Sequence, residues 1–211
     1  MLALRNDVYR RPLETALTRL GVGIGWKCVD VGAGGGDVSV ALSQIVGDLG
    51  RVYALDSDPL SRDEVAMAAA KFDAQVIAIT QAGEDLLLPE PVNLAYCRFL
   101  LMHVIDPAKV LSKMASAIGS GGWLVAQEPI TSSGRVDGLP FTMPDARHPD
   151  IGAFLPKLVS DSGLTVTDAW AEAPASFGPG PIAQYLSHLT GADDLRGSIV
   201  LPPLVTVIAQ K

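Results

Sequence analysis

The sequence is short of several things. Its 211 residues include two cysteines, Cys28 and Cys97, far apart in the chain. That excludes both a disulfide framework and a zinc-ligand cluster, and predicts a metal-free protein. Positive charge is also scarce: 16 basic against 23 acidic side chains leave a net charge of −7. A mainly electrostatic nucleic-acid binder needs a basic patch, so no nucleic-acid partner is expected. No apolar run approaches the roughly 18 residues of a membrane span. The opening MLALRND lacks the apolar core of a secretion signal. The expectation is a cytoplasmic protein without a membrane partner. Repeats, low-complexity tracts and charge blocks are lacking too. What is present is apolar: 48% of residues are hydrophobic, too many for a disordered chain. The length predicts one domain, residues 1–211, with enough chain for a sizeable core.

Two hydrophobic periods alternate along the chain. Leu13, Ala16, Leu17 and Leu20 recur at helical spacing behind Pro12. A short apolar strand follows from Lys27 to Val31, then a glycine cluster, then a helix carrying Val38, Ala41, Leu42 and Ile45. The pattern repeats with strands at Arg51–Leu55, Gln75–Thr80, Val92–Cys97 and Trp123–Gln127. Helices start at Pro59 and at Asp106-Pro107, the latter a cap residue followed by a first-turn proline. Such alternation predicts βαβ units and a mostly parallel sheet with helices on both faces. Residues 129–149 and 173–181 read as loops, with a helix from Ile151 to Leu158 and a weakly helical stretch near Ile182–Leu189. Strands at Leu164–Trp170 and Leu204–Ala209 bring the count to seven, in one sheet.

The segment Val29-Asp30-Val31-Gly32-Ala33-Gly34-Gly35-Gly36-Asp37 joins the first strand to its helix. Open parallel sheets bind ligands at this edge, and glycines let backbone approach a ligand closely. Asp56 ends the second strand, 20 residues after Gly36, where a carboxylate can accept from both hydroxyls of a ribose. The pair predicts a nucleoside site. A dinucleotide fingerprint needs Gly or Ala at its sixth position, but Asp37 stands there. Read as the N-cap of the next helix, Asp37 occupies the amides a diphosphate would use and repels a second anion. A nucleoside with a positively charged tail fits better than NAD.

With these residues in view, the chain resembles the class I S-adenosylmethionine-dependent methyltransferases, in particular their small-molecule members. VDVGAGGGD resembles the family's first motif and RVYALDSD its second strand with the ribose acid. YCRFLLMHVIDP followed by GSGGWLVAQEP resembles its fourth strand, connecting helix and fifth strand. The resemblance implies the Rossmann-like methyltransferase fold, with a core over 22–128, substrate-side loops at 129–149 and 173–197, and an antiparallel last strand. It implies S-adenosylmethionine as cofactor and S-adenosylhomocysteine as product. Gly32, Ala33 and Gly34 would line the methionine part, with Asp30 supporting the loop or reaching the ammonium. Asp56 would hold the ribose, and Ser57 would lie beside the adenine. Gln81-Ala82-Gly83-Glu84-Asp85 departs from the family's G-D-A-like turn, so Glu84 or Asp85 or the Gly83 amide would serve the adenine. Cys97 and Arg98 would lie by the sulfonium and methionine tail, Arg98 pairing with the cofactor carboxylate. Tyr9 and Arg10 would close over the cofactor.

No catalytic base is evident. Histidine as a residue type suits a catalytic base, but His103 follows an apolar run where the family often carries a histidine regardless of chemistry. His148 and His188 lie in or near the variable segments, Trp123 and Trp170 read as core, and Glu128 ends the fifth strand as a substrate-site candidate. A methyl sulfonium is already activated, so placing the acceptor in line does most of the work. The expected function is methyl transfer to a small molecule such as a secondary metabolite. Two alternatives share the fold: a cofactor-binding cyclase or other non-methylating enzyme, and a non-catalytic partner protein.

Overall fold

The computed structural model describes residues 2–140, 146–192 and 195–211. Its elements in chain order are α1 (Leu2–Val8), α2 (Arg10–Leu20), β1 (Lys27–Val31), α3 (Asp37–Val46), β2 (Arg51–Asp56), α4 (Pro59–Lys71) and β3 (Val76–Thr80). Then come β4 (Val92–Arg98), α5 (Pro107–Ala117), β5 (Ile118–Pro129), β6 (Arg135–Val136), β7 (Leu139–Pro140) and α6 (Leu155–Asp161). The chain closes with β8 (Thr165–Glu172), β9 (Ala175–Phe177), α7 (Pro181–Thr190), β10 (Ser198–Val200) and β11 (Leu204–Gln210).

Seven strands form one sheet in the order β3-β2-β1-β4-β5-β11-β8. The first five pair in parallel, and the last strand, β11, runs antiparallel to both neighbours. Alternation along the strands sends side chains to two cores. On one face Cys28, Val52, Leu94, Tyr96 and Val125 meet Leu13, Ala16 and Leu17 of α2 and Val38 and Leu42 of α3. On the other, Val29, Val31, Ala95, Cys97 and Ala126 meet Val110 and Met114 of α5 and Leu155 and Val159 of α6. The expected helix starts hold: Asp58 Oδ1 accepts from the Leu60 amide and Asp106 Oδ1 from the Lys109 amide, both at 2.9 Å, each ahead of a first-turn proline.

The segments read as loops are a correction. Parts of both build a second, antiparallel sheet in the order β7-β6-β10-β9. Asp137 (φ 49°) and Gly138 (φ 79°) make the hairpin turn between β6 and β7, the left-handed pair that a two-residue hairpin with proper twist demands. Residues 141–145 of the first expected loop, and 193 and 194 of the second, lie outside the described residues. This sheet joins α1 and α7 in a third apolar cluster of Tyr9, Tyr185, Leu186, Ile199, Leu201 and Leu204. Leu204 pairs with Pro129 at the carboxyl end of β5, so the cluster sits at the edge where parallel strands bind ligands.

One buried polar network ties the layers together. The Tyr96 hydroxyl donates to Gln127 Oε1, while Gln127 Nε2 donates to the Pro12 carbonyl and to Thr206 Oγ1, both at 2.9 Å. Gln127, Tyr96 and Thr206 are wholly buried. Gln127→Leu strands these partners without water. We expect urea unfolding to show stability lower by about 2–4 kcal/mol, the scale for orphaning buried polar groups.

Candidate functional site

Strand order reverses between β1 and β4, and the bend Gly32–Gly36 leaves β1 at that crevice. Gly32 (φ 78°), Gly34 (φ 50°) and Gly36 (φ 80°) all take left-handed backbone, which side chains disfavour. The amides of Gly32 and Ala33 donate to the Leu55 carbonyl at 2.7 and 3.0 Å, pinning the bend to the end of β2. A side chain at Gly36 would press on the Val65 backbone at 3.1 Å, so this glycine lets α3 approach α4. Around Gly34 a Cβ meets only open space. Ala33 turns inward onto Ala54 and Val65.

Asp56 clamps this bend. Its Oδ2 accepts from the Gly34 amide at 2.8 Å and its Oδ1 from the Asp58 amide at 2.9 Å. Each oxygen keeps a lone pair for a further donor, and the side chain is only half-buried. Ser57 follows, exposed. A short 3-10 turn, Gly83–Asp85, stands beside the end of β1, with Gly83 buried against Val31 and Val110. Glu84 Oε1 accepts from the Ile105 amide at 3.3 Å, and exposed Asp85 faces Lys109 at 3.6 Å.

Asp37 requires a second correction. The N-cap of α3 is Gly36, and no side chain caps the helix. Asp37, one residue inside, turns its Oδ2 to Arg98 Nη2 at 2.5 Å. The amides at the helix start are therefore not taken by its carboxylate, so an occupied cap does not exclude a diphosphate here. Arg98 is buried at the end of β4 and also donates to the Tyr9 carbonyl (3.3 Å) and Asn6 Oδ1 (3.4 Å). Tyr9 is itself buried, edge-on to Phe99 and Tyr185. Arg10 is exposed and pairs with Asp7. Asp30 lies under the bend with Ser39 Oγ donating to it at 2.7 Å; burial pushes its carboxyl up to about 7.

Beyond Arg98 the chain turns sharply. Phe99 takes φ 54°, a left-handed conformation uncommon for a bulky residue. Leu100 then lies against Gly32, where a Cβ would approach its Cδ1 to 2.7 Å. Glu128 is not an open substrate contact: it is wholly buried, its Oε1 accepting from the Leu100 and Leu101 amides at 2.8 and 2.7 Å and its Oε2 from Met102 at 3.3 Å. Cys97 also faces the core, where burial raises its thiol well above the usual range. His103 stands exposed on the turn and His188 exposed on α7.

Comparison with known proteins decides the family. A family model described as a methyltransferase domain matches residues 1–169. The chain belongs to this methyltransferase family. A probable cobalt-precorrin-6B C(15)-methyltransferase (decarboxylating) of Pyrobaculum aerophilum is 41% identical over 76 residues, 36% of this chain and 39% of the relative. The chain spans 38% to 56% of the length of the curated relatives it matches. Among solved structures, the [4+2]-cyclase SpnF superposes with a TM-score of 0.70 at 16% identity, covering 95% of this chain and 80% of that one. Coclaurine N-methyltransferase, bound to N-methylheliamine and S-adenosylhomocysteine, gives 0.66 at 14% identity, covering 95% and 72%. These likenesses confirm the Rossmann-like methyltransferase fold. S-adenosylmethionine is the cofactor of this methyltransferase class.

The residues fit that cofactor. The bend offers open backbone at Gly34, and Asp56 keeps acceptor capacity for ribose hydroxyls. Leu100 over Gly32, Phe99 and the turn-holding role of Glu128 escaped the sequence reading, since no motif marks a buried carboxylate that gathers three amides. A separate cavity of about 610 Å³ lies between the start of α5 and α6, lined by Asp106, Arg147, His148, Asp150, Phe154 and Lys157 among others. It contains none of the bend residues. Among the described residues no His, Cys, Asp or Glu cluster could hold a metal ion.

Glu128, like Asp30, has its carboxyl pushed up to about 7 by burial. Unfolded carboxyls titrate near ~4, so the folded chain holds these protons more tightly. Their contribution is complete below that unfolded value and lost as pH rises through about 7. Urea titrations should therefore show higher stability near pH ~5 than near pH ~8. Glu128→Gln should flatten part of that fall.

Proposed function

We propose that this methyltransferase moves the methyl group of S-adenosylmethionine to a small-molecule acceptor. The observation that carries the reading is the glycine bend at the β1–β4 crevice with Asp56 clamped to it, in a chain of the methyltransferase family. Asp56 would accept from the ribose hydroxyls, Gly32 and Gly34 would pass beside the methionine part, and Arg98 would meet its carboxylate. Asp30 would support the bend from beneath through Ser39. Ser57 and the Gly83–Glu84 turn would border the adenine.

When bound, the cofactor supplies an activated methyl sulfonium, so the protein's share is placement and exclusion of water. The aromatic cluster of buried Tyr9 and Tyr185 with partly buried Phe99 would shut solvent from the end of β4. No side chain is assigned as a base; His103, exposed on its turn, is not needed where the acceptor attacks without losing a proton first. The net charge of −7 favours a small acceptor over nucleic acid. Two free, buried thiols at Cys28 and Cys97 suit a reducing cytoplasm.

Calorimetry tests the reading. Wild-type protein should bind S-adenosylmethionine and S-adenosylhomocysteine, and Asp56→Ala should weaken both by about 1.5–3 kcal/mol, the range for charge-assisted hydrogen bonds. Because Asp56 also holds the Gly34 amide, Asp56→Asn, which keeps one acceptor oxygen, should lose less. Unchanged affinity in the alanine variant would remove Asp56 from the site.

A further inference from the structure

Arg5 is a partly buried cation at the crevice whose charge the proposed mechanism leaves unused. It projects from α1 with its guanidinium carbon 5.3 Å from the Phe99 ring centroid, and the Arg98 guanidinium lies 6.0 Å from the same ring. Arg98 is answered by Asp37. Arg5 is not: among the described residues it has no ion pair, and its Nε is buried without any hydrogen-bond partner. Among the described residues its terminal nitrogens have no hydrogen-bond partner either, and the side chain as a whole is only partly buried. An arginine held by stacking alone, with its donor fork free, is arranged to receive an oxyanion.

The charge balance says which molecule brings that anion. The groups that act on Arg5 are Arg98, Asp37, Asp30 and the Tyr185 hydroxyl. Two guanidiniums thus face the Asp37 carboxylate, which already pairs with Arg98, and Asp30, whose carboxyl burial pushes up to about 7. The cofactor worsens the imbalance: its ammonium and carboxylate cancel, and its sulfonium adds a positive charge. Protein and cofactor together then carry more positive than negative charge at the crevice, and the acceptor is where a further negative group would enter.

We propose that Arg5 recognises a carboxylate on the acceptor, so that this enzyme methylates small organic acids. The proposal rests on the cofactor reading above and adds the substrate class to it. The partly exposed Phe99 ring beside Arg5 favours acids with an apolar body.

The test uses the full chain saturated with S-adenosylhomocysteine. Saturation-transfer NMR compares benzoate, phenylacetate and octanoate with their primary amides, and calorimetry measures S-adenosylhomocysteine and 5′-methylthioadenosine, which lacks the amino-acid part. At least one acid should bind about tenfold tighter than its amide, the scale of a charge-assisted hydrogen bond. Arg5→Met should abolish that preference, Arg5→Lys should keep part of it, and both variants should bind the two nucleosides as wild type does. No acid preference in wild type, or one that survives Arg5→Met, would overturn the proposal. A tenfold loss for S-adenosylhomocysteine but none for methylthioadenosine in Arg5→Met would overturn it too, giving Arg5 to the cofactor's own carboxylate. If wild type bound neither nucleoside, the cofactor reading itself would fall, and this proposal with it.

Discussion

A chain that leaves a strand and turns immediately into a helix must satisfy backbone amides that neither element can reach. In this protein the turn is Gly32–Gly36, and the carboxylate of Asp56 takes up that duty at Gly34 from the neighbouring strand. The same carboxylate holds the Asp58 amide, so the ends of β1 and β2 are locked in one arrangement. The Leu55 carbonyl adds two more bonds to the bend. Under the proposed reading, a backbone fixed from one side and open on the other would present the cofactor's surface before the ligand arrives, and little ordering entropy would oppose association.

The opposite wall is built on a second constraint. Glu128 spends its carboxylate on the amides of Leu100 to Met102, which permits the left-handed Phe99 and sets Leu100 against Gly32. Phe99 then serves as a platform for two arginines and for Tyr9. Removal of a buried carboxylate behind the sheet would thus be felt at the crevice through backbone position, with no contact to ligand. The cavity beside α5 holds none of the bend residues. The resemblance in fold to a [4+2]-cyclase makes a related point: one architecture serves more than one reaction, and the groups placed on it decide which.

Much of this was legible in the residues. The alternation of periods two and 3.6 located all seven strands of the main sheet, because buried parallel strands and their covering helices leave no freedom in where apolar residues fall. Asp106 sat where a cap belongs, ahead of Pro107. Asp37 looked the same by spacing, yet a left-handed Gly36 took the cap position and released the carboxylate to Arg98, a partner 61 residues away that no local rule reveals. The second sheet was missed because strands of two or three residues have no period to detect. Its one readable sign was Asp137-Gly138 between Val136 and Leu139. Glu128 and Arg5 escaped for a different reason: their roles depend on burial and on long-range charge, which sequence does not display.

The central claim is that the cofactor lies on the Gly32–Gly36 bend, between the carboxyl ends of β1, β2 and β4. Amide-resolved NMR during titration with S-adenosylhomocysteine reads this directly. The account predicts one saturable set of shifts at Gly32, Gly34, Gly36, Ser57 and Asp58. Unmoved amides at these positions, or shifts confined to the Asp106–Asp161 cavity, would contradict it.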